Sequence, residues 1–90
     1  MIKHFNITVS GKVQGVFFRA GAMAEAQRLG LTGFVSNQAN GDLYIEVEGK
    51  SDGLTHFLEW CSHGPEKAEV KGIQIVEAEP TPLSGFEIRK

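Results

Sequence analysis

The chain has 90 residues, of which 41% are hydrophobic and 22% charged, a composition typical of one globular domain over residues 1–90. Its net charge of −2 argues against a protein whose main role is to bind nucleic acid or an anionic membrane surface, and no apolar run approaches the ~20 residues of a membrane span. Cys61 is the only cysteine, which excludes an internal disulfide and makes the reducing cytoplasm the expected compartment.

The first half of the chain predicts a strand, a helix and two further strands. Residues 4–10 alternate between polar and apolar side chains, which is the period of a half-buried strand. A helix is predicted over about residues 20–29. Residues 31–36 and 43–47 are predicted to be the strands of a hairpin, because the Asn-Gly pair at 40–41 favours a tight turn between them.

The second half predicts a helix and two strands. Residues 54–61 carry apolar side chains at the i, i+3, i+4, i+7 spacing of a helix, and this spacing places Cys61 in the core. Ser51 is positioned to cap the start of that helix. Strands are predicted over about residues 68–77 and, at the C-terminal end, around residues 86–88.

The order of these elements predicts the fold class. It is βαββαβ with an extra short C-terminal strand. Two helices on one face of a mostly antiparallel sheet satisfy this order with right-handed crossovers. We therefore expect an α+β protein with the ferredoxin-like α/β sandwich. Because this fold supports enzymes, RNA-binding modules and metal carriers, the function depends on particular residues.

Charge is distributed unevenly along the chain. Residues 1–24 contain three basic residues and no acidic one, whereas residues 25–90 contain six basic and eleven acidic residues. A stretch without acidic residues is what an anion-binding site needs. Chance in so short a window is the alternative explanation.

The segment between the first strand and the first helix, residues 11–19, has the sequence GKVQGVFFR. A loop that enters a helix presents backbone N–H groups without helical acceptors, and such groups bind phosphate or carboxylate. Gly15 allows the backbone to approach a ligand closely, and Arg19 can donate to two phosphate oxygens. The spacing matches neither a nucleotide P-loop nor a dinucleotide-binding fingerprint. These residues alone leave two interpretations open, an anion-binding loop and a plain tight turn.

Residues 11–19 resemble the N-terminal signature of the acylphosphatase family. A second block, residues 29–37 with the sequence LGLTGFVSN, follows at the distance expected for that family, and shorter similarities extend to residues 84–88. The resemblance implies a cytoplasmic hydrolase that splits a small-molecule acyl phosphate into a carboxylate and inorganic phosphate, without a metal or other cofactor. We expect a monomer with neither a nucleic-acid nor a membrane partner.

The resemblance also implies roles for particular residues. Arg19 and the loop before it hold the phosphate group, while Asn37 holds the attacking water. The loop residues with this role are Gln14, Gly15, Val16, Phe17 and Phe18. Asn37 considered alone is more readily explained as a turn-starting residue. The sequence departs from the family pattern at Phe34, where a tryptophan is common, and at the small residues 21–23, and both departures concern the mouth of the substrate site.

Other candidate sites are weaker. The three histidines lack the spacing of metal ligands and are predicted to lie at the surface, with His4 on the outward side of the first strand. Tyr44, Glu46 and Glu48 are predicted to form a solvated strand face, whose acidity disfavours an RNA-binding module. A metal carrier would need paired cysteines. A domain that binds acyl phosphates but hydrolyses them slowly is an alternative that the sequence leaves open.

Overall fold

The structure, a computed structural model, describes residues 1–81 and 83–89. Within that part of the chain the elements are β1 (Ile2–Lys12), α1 (Phe18–Arg28), β2 (Thr32–Asn37), β3 (Leu43–Lys50), α2 (Ser51–His63), β4 (Glu69–Ala78) and β5 (Phe86–Arg89). The sheet has the strand order β4-β1-β3-β2-β5, with β5 parallel to β2 and the other neighbours antiparallel. The predicted ferredoxin-like fold, with its additional C-terminal strand, is confirmed.

The hydrophobic core lies between the helices and one face of the sheet. The period of two along β1 and β3 sends alternate side chains to that face, where they pair across the strands as Ile7 with Ile45 and Phe5 with Val47. Ala22 of α1 and Phe57 of α2 lie fully buried against them. Cys61 is also fully buried, as predicted, and burial raises the pKa of its thiol.

The start of α2 differs from the prediction that Ser51 caps it. Lys50 is the N-cap residue, with an extended backbone at φ −73° and ψ 149°, and Ser51 is already helical. The reason is that β3 runs as far as Lys50 and joins α2 without a loop, so that no residue is left between strand and helix to act as a polar cap. Asp52 supplies the negative charge in the first turn instead.

The small residues at the start of α1 allow the two helices to approach each other. A Cβ atom on Gly21 would lie 2.8 Å from Cζ2 of Trp60 on α2. The Trp60 ring also packs edge-on against Phe18, with the ring centroids 5.2 Å apart. Gly21 is therefore explained by helix packing.

The outer face of the sheet contains a buried polar cluster. His4 is only 2% exposed, and its Nδ1 and Nε2 lie 2.9 Å from Glu48 Oε1 and 3.0 Å from Glu46 Oε1. Tyr44 donates its hydroxyl to Glu46 Oε2 at 2.7 Å. His4 does lie on the outward side of β1, but the predictions of a surface histidine and a solvated strand face are wrong. The segment after β4 crosses this face, where the Thr81 backbone N–H donates to Glu48 Oε1 at 2.6 Å.

Candidate active site

The loop between β1 and α1 contains two residues with positive φ. Gly15 has φ 73°, and Phe17 has φ 65°, which among the described residues is the one positive φ outside glycine. The left-handed conformation costs a residue with a Cβ about 1–2 kcal/mol. Left-handed residues interspersed in a loop curve the backbone so that successive N–H groups converge on one point, and such strain is typical of functional sites. The loop therefore has a backbone conformation of the kind found in anion-binding loops.

The first turn of α1 leaves its N–H groups free for a ligand. Phe17 is the N-cap residue, and its carbonyl accepts the first helical hydrogen bond, from the Gly21 N–H at 3.0 Å. Its side chain makes no capping hydrogen bond, and the first turn contains no acidic residue. Phe18, Arg19 and Ala20 consequently have no helical acceptor for their N–H groups. The positive end of the helix dipole points towards the loop without an anion to balance it.

Arg19 adds a full positive charge at this position. Arg19 as a whole is half-buried, and among residues 1–81 and 83–89 no carboxylate lies within the 4.0 Å of a salt bridge to its guanidinium. The other two arginines are paired in the same part of the chain, Arg28 with Glu25 at 2.6 Å and Arg89 with Glu87 at 3.1 Å. A cation at a helix N-terminus without a counter-ion is unfavourable, so the site favours an anionic ligand.

A pocket of about 320 Å³ opens at the start of α1. Its lining residues are Gly15, Phe17, Phe18, Arg19, Ala20 and Ile88. Four of the predicted site residues thus lie together. The side chains of Val16 and Phe18 are buried in the core, so that only their backbone groups are available to a ligand.

Ile88 lines the pocket but was not predicted from the sequence. Ile88 is 40% exposed and Phe17 is 78% exposed, and together they give the pocket an apolar rim. Ile88 reaches the site because β5 pairs in parallel with β2, opposite Val35. No local sequence pattern marks that pairing, which joins strands far apart in the chain.

Asn37 lies at the end of β2, on the face of the sheet that the helices cover. It follows Val35 by two residues, and Val35 is a core residue that pairs with Ile88 of the pocket rim. Asn37 is not itself among the lining residues. Its Oδ1 is buried and has no hydrogen-bond partner in the part of the chain that the structure describes. Leaving such an acceptor unsatisfied costs about 1–3 kcal/mol, so it is available to pair with a water or a ligand.

The side chain of Gln14 joins the loop to the turn that follows Asn37. Its Nε2 donates to the backbone carbonyls of Gln38, at 2.8 Å, and Asp42, at 3.0 Å. Both amide hydrogens are therefore used within the protein. Of the Gln14 donors, the backbone N–H is the one left for a ligand.

Neither departure from the family pattern lies in the lining of this pocket. Phe34 packs on the outer face of the sheet, with its ring centroid 6.0 Å from that of Tyr44 and 4.0 Å from the Arg89 guanidinium carbon. Residues 21–23 follow the pocket residues along α1, and Ala22 is a core residue. The described lining is made of signature residues together with Ala20 and Ile88.

Two structural properties bear on other classes of site. Among residues 1–81 and 83–89, no three or more histidine, cysteine, aspartate or glutamate side chains cluster so as to hold a metal ion. No helix in the same part of the chain is long and apolar enough to cross a membrane.

The chain is similar to known acylphosphatases along nearly its whole length. A family model described as Acylphosphatase matches residues 5–88. An acylphosphatase of Azoarcus sp. is 42% identical over 81 residues, which are 90% of this chain and 83% of that protein. Acylphosphatase structures from Coxiella burnetii and Bacillus subtilis superpose with TM-scores of 0.94 each, at 38% and 32% identity. The first alignment covers 98% of this chain and 93% of the Coxiella protein, and the second covers 100% of both.

The fold and these similarities all indicate the same protein family. The family model extends from within β1 to within β5 and includes the loop and the end of β2 that carries Asn37. The chain belongs to the acylphosphatase family.

Proposed function

We propose that this protein hydrolyses acyl phosphates, the mixed anhydrides of a carboxylic and a phosphoric acid, to a carboxylate and inorganic phosphate. Family membership and fold both support acyl phosphate hydrolysis. The observation that carries the proposal is the positive site at the start of α1, where Arg19 has no salt bridge among the described residues and the adjoining N–H groups have no helical acceptor.

In the proposed complex, the phosphate group lies against the loop. Backbone N–H groups from Gln14 to Phe18 donate to its oxygens, and Arg19 donates two further hydrogen bonds. Phosphoryl transfer passes through a loose transition state in which charge redistributes over the equatorial oxygens. Fixed donors aimed at those oxygens stabilise the transition state without having to reorganise.

Asn37 orients the attacking water in this proposal. Its unpartnered Oδ1 accepts a hydrogen bond from the water. The water oxygen bonds to phosphorus while the bond between phosphorus and the acyl oxygen breaks, and the carboxylate leaves with the electron pair. An amide is too weak a base to take the water proton, so a phosphate oxygen accepts it. Because a carboxylate is a good leaving group, no general acid is needed.

The proposal includes several further properties. The reaction uses no metal and no cofactor, and the protein acts as a cytoplasmic monomer. Residues 1–90 form one domain, which is supported by the single core that both helices share with the sheet. Sedimentation velocity tests the monomer, and activity after treatment with a chelator tests metal independence.

Hydrolysis of benzoyl phosphate by the purified protein tests the function. We expect turnover that persists in a chelator and that inorganic phosphate inhibits competitively, since substrate and product share the loop. Phosphate binding without turnover would favour a domain that only binds acyl phosphates. A strict requirement for a divalent metal would contradict the proposed mechanism.

A further inference from the structure

We propose that Gln14 is a positioning residue whose side chain fixes Asn37 relative to the phosphate-binding loop. The inference rests on the proposed function and adds a residue that acts through another. Gln14 lies in the loop, and its Nε2 donates to the carbonyls of Gln38 and Asp42 at 2.8 and 3.0 Å. Gln38 is the residue directly after Asn37. One side chain thus connects the loop that binds phosphate to the strand end that holds the water.

The turn to which Gln14 donates, residues 38–42, is itself held by backbone hydrogen bonds. The Gln38 N–H donates to the Asp42 carbonyl at 2.8 Å, and the Gly41 N–H donates to the Gln38 carbonyl at 3.1 Å. Each carbonyl oxygen has two lone pairs, so Gln14 uses acceptor capacity that the turn leaves open. These bonds hold the turn together as one unit. Because Gln38 directly follows Asn37 in the chain, a displacement of the turn moves Asn37 with it.

No second hydrogen bond duplicates this connection. Between residues 13–17 and 38–42, the two bonds from Gln14 are the hydrogen bonds that the described chain contains. Their loss would leave the loop and the strand end aligned by packing and by the more distant sheet, in which Val9 of β1 and Asn37 of β2 both pair with Leu43 of β3. A misplacement of reacting groups by ~1 Å costs about 100-fold in rate, so a small relative shift would reduce turnover strongly.

The geometry argues against direct substrate contact by this side chain. Both amide hydrogens of Gln14 are used by the turn. The remaining atom, Oε1, is an acceptor and would repel phosphate oxygens. The side chain therefore affects turnover through Asn37, while the Gln14 backbone N–H is free to bind phosphate.

Replacement of Gln14 by Met tests the role, because Met is similar in length and cannot donate. We expect kcat for benzoyl phosphate to fall by about 10- to 100-fold, with the inhibition constant for inorganic phosphate within threefold of wild type. Gln27→Met, at an exposed position of α1, makes the same chemical change and should leave both constants unchanged. A rise in the inhibition constant that accounts for the lost activity would overturn the proposal, since Gln14 would then act on phosphate binding.

A double-mutant cycle with Asn37→Ala separates positioning from other roles. If Gln14 acts through Asn37, Gln14→Met should reduce kcat less than threefold when Asn37 is already alanine. An equal reduction in both backgrounds would overturn the positioning role. A wild-type kcat in Asn37→Ala would instead overturn the water-orienting role of Asn37, so the two proposals fail in different ways.

Gln14→Glu provides a second variant with a pH signature. Its ionised carboxylate faces two carbonyl oxygens and donates nothing, whereas the protonated acid donates one hydrogen bond. The ratio of variant to wild-type kcat should therefore rise as pH falls towards the glutamate pKa of about 4.3. A ratio that does not change with pH would contradict a role that depends on donation, and thermal unfolding of each variant confirms that it is folded.

Discussion

The two faces of the sheet carry two groups of polar side chains, which differ in whether their polar atoms have partners within the protein. On the outer face His4 lies between Glu46 and Glu48, so that its ring and both carboxylates are hydrogen-bonded. On the helix-covered side, Arg19 at the start of α1 has no salt bridge among the described residues, and Asn37 at the end of β2 has a buried oxygen without a partner in the same part of the chain. The polar atoms of His4 and its two glutamates are hydrogen-bonded to one another, which stabilises the fold. The second group is left unsatisfied, which costs stability and leaves donors and an acceptor for a ligand.

The outer face contains one polar side chain that is not satisfied in this way. Oδ1 of Asn6 is also buried and unpartnered in the part of the chain described. A single unsatisfied acceptor therefore does not identify a functional residue. Asn37 differs because it ends the strand tied to the loop through Gln14, and because it lies on the same face as the pocket.

Replacement of Arg19 by Ala should have the largest effect. We expect kcat/KM for benzoyl phosphate to fall by about 1,000-fold or more, since an arginine that stabilises transferring phosphate is worth that much. Inhibition by inorganic phosphate should be lost as well. The free energy of unfolding should not decrease, because the variant removes a cation that is unfavourable at a helix N-terminus by ~0.3–1 kcal/mol. Arg28→Ala, at the other end of α1, should retain activity, and an equal loss there would contradict a specific role of Arg19.

Replacement of Asn37 by Ala should lower kcat by about 100-fold, as removal of one polar group at a reaction centre does. The inhibition constant for phosphate should stay within threefold of wild type. The protein should unfold no more easily, because an unsatisfied acceptor is removed. Asn6→Ala removes the matching acceptor on the outer face, so it should affect stability in the same direction without lowering kcat. Loss of activity in Asn6→Ala would show that the two faces do not differ as described.

Gly15 and Gly30 form a matched pair for the loop backbone. They have φ angles of 73° and 72°, and a Cβ on either would meet no atom within 4 Å. Alanine at either position should cost about 1–2 kcal/mol in the free energy of unfolding, because both conformations are left-handed. Gly15→Ala should in addition weaken phosphate binding about tenfold, or ~1.4 kcal/mol, since Gly15 lines the pocket. If Gly30→Ala impaired binding equally, the effect would come from stability and not from the loop.

His4 should control stability and leave activity unchanged. Burial lowers the pKa of His4, but hydrogen bonds to Glu48 and Glu46 outweigh this effect and raise it above 6.5. The resulting stability is fully present below pH 6.5 and is lost as pH rises through the higher pKa of the folded state. At pH 6, His4→Gln should cost about 1–3 kcal/mol, and the cost should shrink at higher pH in urea unfolding. His56→Gln, at an exposed position of α2, should not destabilise the protein at pH 6. A cost of His4→Gln that grows with pH would contradict a charged His4.

Much of the fold could be predicted because its signals are local. The alternation in β1 and β3 and the helical spacing that buries Cys61 depend on neighbouring residues, which the sequence displays directly. The burial of His4 could not be predicted in this way. His4 is bonded to Glu46 and Glu48 of a distant strand, and Glu48 in turn accepts from Thr81, which comes more than seventy residues after His4.

The candidate site likewise contains residues that local sequence predicts and residues that it does not. The loop with Gly15 and Arg19 is continuous in sequence, so its residues could be identified together and they do line one pocket. Ile88 reaches that pocket only because β5 pairs in parallel with β2. Gln14 and Gln38 are 24 residues apart in sequence, and the fold brings them into contact. The positive φ of Phe17 was equally unpredictable, because a phenylalanine rarely adopts that conformation.

Titration of the ¹⁵N-labelled protein with inorganic phosphate, followed by amide NMR, tests whether the start of α1 binds phosphate. We expect saturable shifts of the amides from Gln14 to Ala20 and of the Arg19 side-chain N–H. Residues of the cluster around His4 should not respond. Saturable binding with its largest shifts away from the start of α1, or no binding to the folded protein, would contradict the account.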